Sequence, residues 1–328
     1  MKNFIIKNIQ TVVFLGYSPQ IEELFHICEK LSLKPVLVTS PDQKKLINKN
    51  VPCKIFSKID KNFEKYINTF EVENCLFISL GARWIFSKES IKNIFQNNLI
   101  NAHGTRLPFD AGGGGMSWRI MKRDRICLHL LHLVNKEIDK GGIIFTQKSI
   151  FPKYCNIPED FNKFYRDNFL GFFETFLLKL KNSEKFEVRD QVDYIGSYFP
   201  RLSTLKNGFI DWSWSSQNIS YFIDAFDSPY EGASTFIGDR LVKIKKCQLH
   251  GGEVSNHPFM SGLITRHDQK WIIVSTQDQF SLIIEEIYDE KGKNILSKIK
   301  VGDRFHTPTK YLNESFSKRA IFGPLGEK

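Results

Sequence analysis

Three consecutive segments near the N-terminus constrain the architecture more than any other feature of the chain. Thr11-Val-Val-Phe-Leu-Gly16 is an apolar run ended by glycine, Ile21 to Leu31 repeats apolar residues at helical spacing, and Lys34-Pro-Val-Leu-Val-Thr39 is a second apolar run. A continuous apolar run suits a strand covered on both faces, and an amphipathic helix between two such runs supplies one cover. Strand, helix, strand at this spacing makes a parallel, right-handed unit. The pattern continues with Cys75–Leu80 as a strand, Ser87–Gln96 as a helix and Leu99–Asn101 as a short strand. The predicted class is α/β, with a Rossmann-like open, mostly parallel sheet in an N-terminal domain.

Residues 126–134 and 142–147 read as two further strands, with Asp139 in the turn between them. Pro158 to about Lys181 reads as one long helix carrying Phe161, Phe164, Tyr165, Phe169, Phe172 and Phe173, an aromatic stripe best explained by core packing. From about Pro200 the pattern changes to short strands with turn residues. Residues 232–245 have the strand, Gly238-Asp239 turn, strand form of a hairpin, and residues 271–276 with 280–287 form a second set. The expected organisation is a domain at 1–198 and a smaller, mainly β domain at 199–328.

Length and composition agree with two domains. The chain has 328 residues, of which 41% are apolar and 25% charged, an ordinary balance for a soluble globular protein. A formal charge of +10 favours contact with phosphate, yet no run of five or six basic residues forms an arm, so nucleic acid is not an expected partner. Cys28, Cys53, Cys75, Cys127, Cys155 and Cys247 form no C-x-x-C pair and read as reduced core residues. The N-terminus lacks the apolar core of a signal peptide and no segment reaches bilayer length, which makes the cytoplasm the expected location.

The chemistry concentrates in Asn101-Ala-His103-Gly-Thr-Arg-Leu-Pro108 and, further on, Asp139-Lys-Gly-Gly142. An amide, an imidazole and a carboxylate suffice for acyl transfer to an amine. The amide donates to the carbonyl oxygen that becomes negative, the imidazole carries the proton, and the carboxylate orients the imidazole. His129 and His132 lie three apart on one predicted strand and so face opposite sides, which argues against a zinc pair. Gly112-Gly-Gly-Gly115 permits close backbone approach to a ligand but lacks the spacing of a P-loop.

Asn-x-His, then Leu-Pro, a glycine-rich turn and a later Asp-x-Gly-Gly resemble the pattern of the folate-dependent formyltransferases. The resemblance implies Asn101, His103 and Asp139 as the catalytic trio, 10-formyltetrahydrofolate as formyl donor, and no metal. Ser79–Phe86 resembles the segment that wraps the pteridine ring in these enzymes. It implies Leu80, Gly81, Ala82, Arg83, Trp84 and Ile85 on the donor side, together with His132 and Gly142.

Gly208–Trp212, Asn218–Phe226 and Pro229–Ala233 are similar to the start of the second domain shared by methionyl-tRNA formyltransferases and sugar-nucleotide N-formyltransferases. Where the tRNA enzymes usually read Ser-Leu-Leu-Pro with Arg-Gly and Ala-Pro nearby, this chain reads Gly104-Thr-Arg-Leu-Pro and a run of glycines before Trp118. The departure favours the sugar-nucleotide branch, whose substrate is a nucleotide-linked aminosugar used in surface-polysaccharide synthesis; methionyl-tRNA formyltransferase is the alternative. Thr105, Arg106, Gly114, Trp118, Arg119, Arg201 and Tyr230 are the candidates for holding that substrate. The resemblance also allows a homodimer formed through the second domain.

Overall fold

The computed structural model describes residues 2–327 apart from Gly114, Asp193, Tyr194, Glu253, Pro324 and Leu325. The chain divides into two compact units that do not follow a single cut. Met1–Ala111, Ile126–Ser149 and Tyr165–Tyr198 form one; Gly112–Arg125, Ile150–Phe164 and Phe199–Lys328 form the other.

The first unit is built on a seven-stranded sheet. Its strands are β1 (Thr11–Gly16), β2 (Lys34–Thr39), β3 (Lys54–Ile55), β4 (Cys75–Leu80), β5 (Leu99–His103), β6 (Ile126–Leu133) and β7 (Ile143–Ile150). They lie in the order β3-β2-β1-β4-β5-β6-β7. Pairing is parallel from β3 through β5, and β6 then runs antiparallel to β5. Every residue of β1 and β4 is buried, as central strands covered on both faces require.

The covers follow from side-chain spacing. Helix α1 (Ile21–Lys30) buries Ile21, Leu24, Ile27 and Cys28, one stripe at helical period, and carries Glu22 and Glu23 at its positive N-terminal end. Four residues of α2 (Pro41–Lys44) follow β2, and α3 (Lys61–Ile67) starts where the Asp60 carboxylate accepts from the backbone N–H groups of Asn62 and Phe63. Helix α4 (Lys88–Asn93) is shorter than the 87–96 span read from sequence. Ser87 caps it, accepting from Ser90 N, and the left-handed backbone of Gln96 and Asn97 ends it. On one face of the sheet, Phe63, Phe77, Phe86 and Phe95 form a core with α3 and α4. On the other, Phe14, Leu76, Ile78 and Ile100 pack with Phe169, Phe172, Phe173 and Phe176, the aromatic stripe of the long helix α6 (Pro158–Lys181). The expectation that the stripe is core holds for Phe169, Phe172 and Phe173; Phe161 is buried against Phe151, and Phe164 and Tyr165 are half-buried.

The second unit contains α5 (Gly115–Met121), α7 (Thr204–Asn207), α8 (Ser216–Ala225), α9 (Thr309–Ser317) and a six-stranded sheet. That sheet comprises β8 (Ala233–Ile237), β9 (Arg240–Gly251), β10 (Ile264–His267), β11 (Ile272–Ser275), β12 (Phe280–Asp289) and β13 (Phe305–His306), in the order β10-β11-β12-β9-β8-β13. The expected hairpin is β8 and β9, closed at Gly238-Asp239. The central strands β9 and β12 are long rather than short, and α9 was not anticipated, although Tyr311, Leu312 and Phe316 recur at helical spacing and Tyr311 packs on Phe209 and Phe236. The α/β class with a mostly parallel first sheet and a mainly β second part is the observed architecture.

Candidate active site

Strand register assembles the centre. In the antiparallel pair of β5 and β6, Asn101 stands opposite His132 and His103 opposite Leu130. Directly opposed residues project to the same face of a sheet, as do residues two apart on one strand. Asn101, His103 and His132 therefore share one face at the carboxyl end of β5, where open sheets of this type bind their ligands. The hairpin-like connection from β6 to β7 adds Asp139.

The distances make this a connected set. Nδ2 of Asn101 donates to Nε2 of His132 at 3.1 Å, and Nδ1 of His132 donates to the Leu133 carbonyl at 2.8 Å. A carbonyl only accepts, so Nδ1 carries the hydrogen and Nε2 of the neutral ring is left as acceptor for the amide. Burial holds the His132 ring below its ordinary pKa, and the neighbouring His103 adds to that effect; the Leu133 carbonyl and Asp139 pull the other way. Oδ1 of Asp139 lies 3.4 Å from Nδ1 of His103 and 3.7 Å from Nε2 of His132. Nε2 of His103 meets the Thr105 hydroxyl at 2.7 Å, and the Tyr165 hydroxyl donates to the His103 carbonyl at 3.3 Å.

Asp139 adopts a left-handed backbone, φ 58°. Two residues later the chain passes so close to β6 that a Cβ on Gly141 would overlap the Leu133 carbonyl, which is why glycine is required there. Three groups of metal-ligand type, His103, His132 and Asp139, offer atoms all within 4.8 Å of one another, the only such set found among the described residues. His129, by contrast, is buried on the opposite face, with its ring 4.3 Å from Tyr165 and 5.4 Å from Phe172.

The expected donor-side segment follows β4. Gly16, at φ 110°, lies so near Ala82 that any Cβ would collide with the Ala82 backbone, which fixes the course of residues 80–84. The Gln43 amide donates to the Gly81 carbonyl at 2.8 Å, and Arg83 pairs with Asp42 at 3.0 Å. The Trp84 ring packs edge-on against Phe63 at 5.8 Å, with its Nε1 buried and unpartnered. Its side chain therefore belongs to the core and leaves its backbone for a ligand. At Gly81 a Cβ would meet nothing nearer than the Tyr17 carbonyl at 3.7 Å, and Ile85 is 74% exposed. Open backbone at a strand end suits the edge of a flat heteroaromatic ring. Gly142, the other glycine expected on the donor side, lies against Val188.

The substrate-side candidates separate into two groups. In the first unit, Thr105 bonds His103, and Arg106 pairs with Asp110 at 2.8 Å. In the second, Trp118, Arg201 and Tyr230 line one cleft of about 630 Å³ together with Ser117, Thr204 and Glu231. Trp118 is held there by its Nε1, which donates to the Pro200 carbonyl at 2.8 Å. Arg119 is 4% exposed, with its guanidinium 6.0 Å from the centre of the Phe151 ring, and is not among the lining residues. Gly114 lies outside the described residues. No helix among the described residues is long and apolar enough to cross a membrane.

Sequence reasoning missed Gln191, whose Nε2 donates to the carbonyls of Asp139 at 2.7 Å and Gly141 at 2.8 Å. Nothing local marks it, since its partners lie about fifty positions earlier.

Residues 203–298 match the family model described as formyl transferase, C-terminal domain. Methionyl-tRNA formyltransferase of Mesoplasma florum is 27% identical over 332 residues, covering 90% of this chain and 98% of that protein. The bifunctional polymyxin resistance protein ArnA of Wigglesworthia glossinidia brevipalpis is 27% identical over 235 residues, 68% of this chain, so the match spans only 33% of that relative's length. Among solved structures, the N-formyltransferase of Helicobacter canadensis, in complex with folinic acid and dTDP-3-aminofucose, superposes with a TM-score of 0.64 at 17% identity over 84% of this chain and 99% of that one. Residues 203–298 thus carry a formyl transferase C-terminal domain, and the chain is similar to formyltransferases along its length and in its fold.

Proposed function

We propose that this protein transfers a formyl group from 10-formyltetrahydrofolate to the amino group of a nucleotide-linked amino-deoxysugar. The observation that carries the chemistry is the bond from Asn101 to His132. It uses one N–H of the Asn101 amide and fixes that amide's orientation, leaving the second N–H without a partner among the described residues. A held N–H with a spare hydrogen is what stabilises a developing oxyanion, typically by a few kcal/mol. His103 accepts the proton lost by the attacking amine, and Asp139 steadies the imidazolium that results. Thr105 stands at Nε2 of His103, so the proton reaches the ring by way of its hydroxyl.

The donor supplies the formyl carbon when bound, and the backbone of Leu80–Ile85 is the segment that fits its ring. On the acceptor side, the cleft offers an indole, a guanidinium and a phenol in Trp118, Arg201 and Tyr230. These groups suit a nucleobase, a diphosphate and a sugar hydroxyl. The solved N-formyltransferase complex with dTDP-3-aminofucose supports the sugar reading. Relatives named methionyl-tRNA formyltransferase support the alternative acceptor.

The test is incubation with 10-formyltetrahydrofolate and either a panel of dTDP- and UDP-linked aminosugars or charged initiator tRNA, read by mass spectrometry. Gain of one formyl unit on a sugar is expected. Gain on the tRNA alone would replace the sugar assignment, and that activity would fall steeply with added salt.

A further inference from the structure

The turn that carries Asp139 is held from outside by one side chain. Arg189 forms a two-way backbone bridge with Ile143, its N–H donating at 2.9 Å and its carbonyl accepting at 2.8 Å. The preceding Val188 lies so close to Gly142 that a Cβ there would overlap it. Segment 188–191 is thereby laid flush along the turn, and Gln191 reaches across it. Both hydrogens of its Nε2 are engaged, one by the Asp139 carbonyl at 2.7 Å and one by the Gly141 carbonyl at 2.8 Å.

Those two carbonyls flank Lys140, and the first belongs to a residue in the left-handed region, φ 58°. A side-chain-bearing residue persists there only when its surroundings hold it. The same backbone conformation sets where the Asp139 carboxylate points, with Oδ1 3.4 Å from Nδ1 of His103.

We infer that Gln191 is the positioning residue of this centre, fixing through two carbonyls the turn that aims Asp139 at His103. Its kinetic consequence rests on the formyl-transfer reading above; its effect on the His103 ring does not. Asp139, His132 and the Thr105 hydroxyl all face that ring, and the Asp139 carboxylate favours its charged form.

Gln191→Ala and Gln191→Met remove the donors, the second with little change in volume. Each is checked for folding by thermal melting, and Gln191→Met is the variant measured should the alanine protein fail to fold. Expected are a fall in kcat of about tenfold, KM values within about twofold, and a His103 ring that titrates at lower pH in NMR spectra. In an Asp139→Asn background, Gln191→Met should cost less than about twofold more, because both changes remove one interaction. A wild-type His103 titration in Gln191→Met, or a full tenfold loss in the Asp139→Asn background, would overturn the assignment. Absence of formyl transfer by the wild-type protein would instead defeat the functional reading, and the NMR titration would still decide the role of Gln191.

Discussion

Asn101 and His132 stand directly opposite one another across the antiparallel pair of β5 and β6, joined amide to imidazole at 3.1 Å. The bond depends on a neutral His132, which burial favours, and on the Leu133 carbonyl, which holds the ring hydrogen on Nδ1 and leaves Nε2 as acceptor. His132→Phe keeps a ring of similar size and removes the acceptor. Steady-state kinetics should show kcat lower by about tenfold or more, with donor KM changed far less. Retention of wild-type kcat would mean that the amide is oriented by something else.

Thr105 provides a separate test of the proton path. Its hydroxyl is the group 2.7 Å from Nε2 of His103. Thr105→Val is nearly isosteric and cannot carry a proton, so kcat should fall by roughly tenfold or more, whereas Thr105→Ser should keep most of the activity. Equal kcat for the valine and serine variants contradicts a relay through this hydroxyl.

Much of the first unit was legible because its signals are local. Apolar runs such as Thr11–Gly16 and Cys75–Leu80 are buried end to end, as a parallel sheet demands, and Phe169, Phe172 and Phe173 of the 158–181 stripe pack as read. The strand read from sequence ended at Asn101, and its continuation to His103, which puts both residues on one face, came from the structure. The bond from Asn101 to His132 was not legible, because it depends on the antiparallel register of β5 with β6, which no local pattern encodes. His132 was accordingly read only as a donor-side residue. Gln191 and the core packing of the Trp84 ring are likewise products of long-range contact. In the second unit, α9 was legible in principle, since Tyr311, Leu312 and Phe316 recur at helical spacing, but that short signal was not read.

Stability in the second unit should depend on pH through Asp224. Burial, reinforced by the nearby negative charge of Asp227, lifts its pKa from 3.8 to about 8. Between those values the folded protein holds a proton that the unfolded chain has released, so stability falls as pH rises and the loss is complete above about pH 8. Asp224→Asn mimics the protonated form. Its melting temperature should exceed that of the wild type near pH 8 and converge with it as the pH drops toward about 4. A gap that stays constant with pH would show that Asp224 ionises normally in the folded state.

The central claim is that Asn101, His103 and Asp139 form one acyl-transfer centre, and comparing wild type with Asn101→Ala in formyl transfer to an accepted aminosugar nucleotide tests it most directly. The account predicts that kcat drops about 10²- to 10³-fold with KM for both substrates nearly unchanged, the mark of an interaction made in the transition state. A variant that keeps its turnover, or loses activity only through a higher KM, would contradict it.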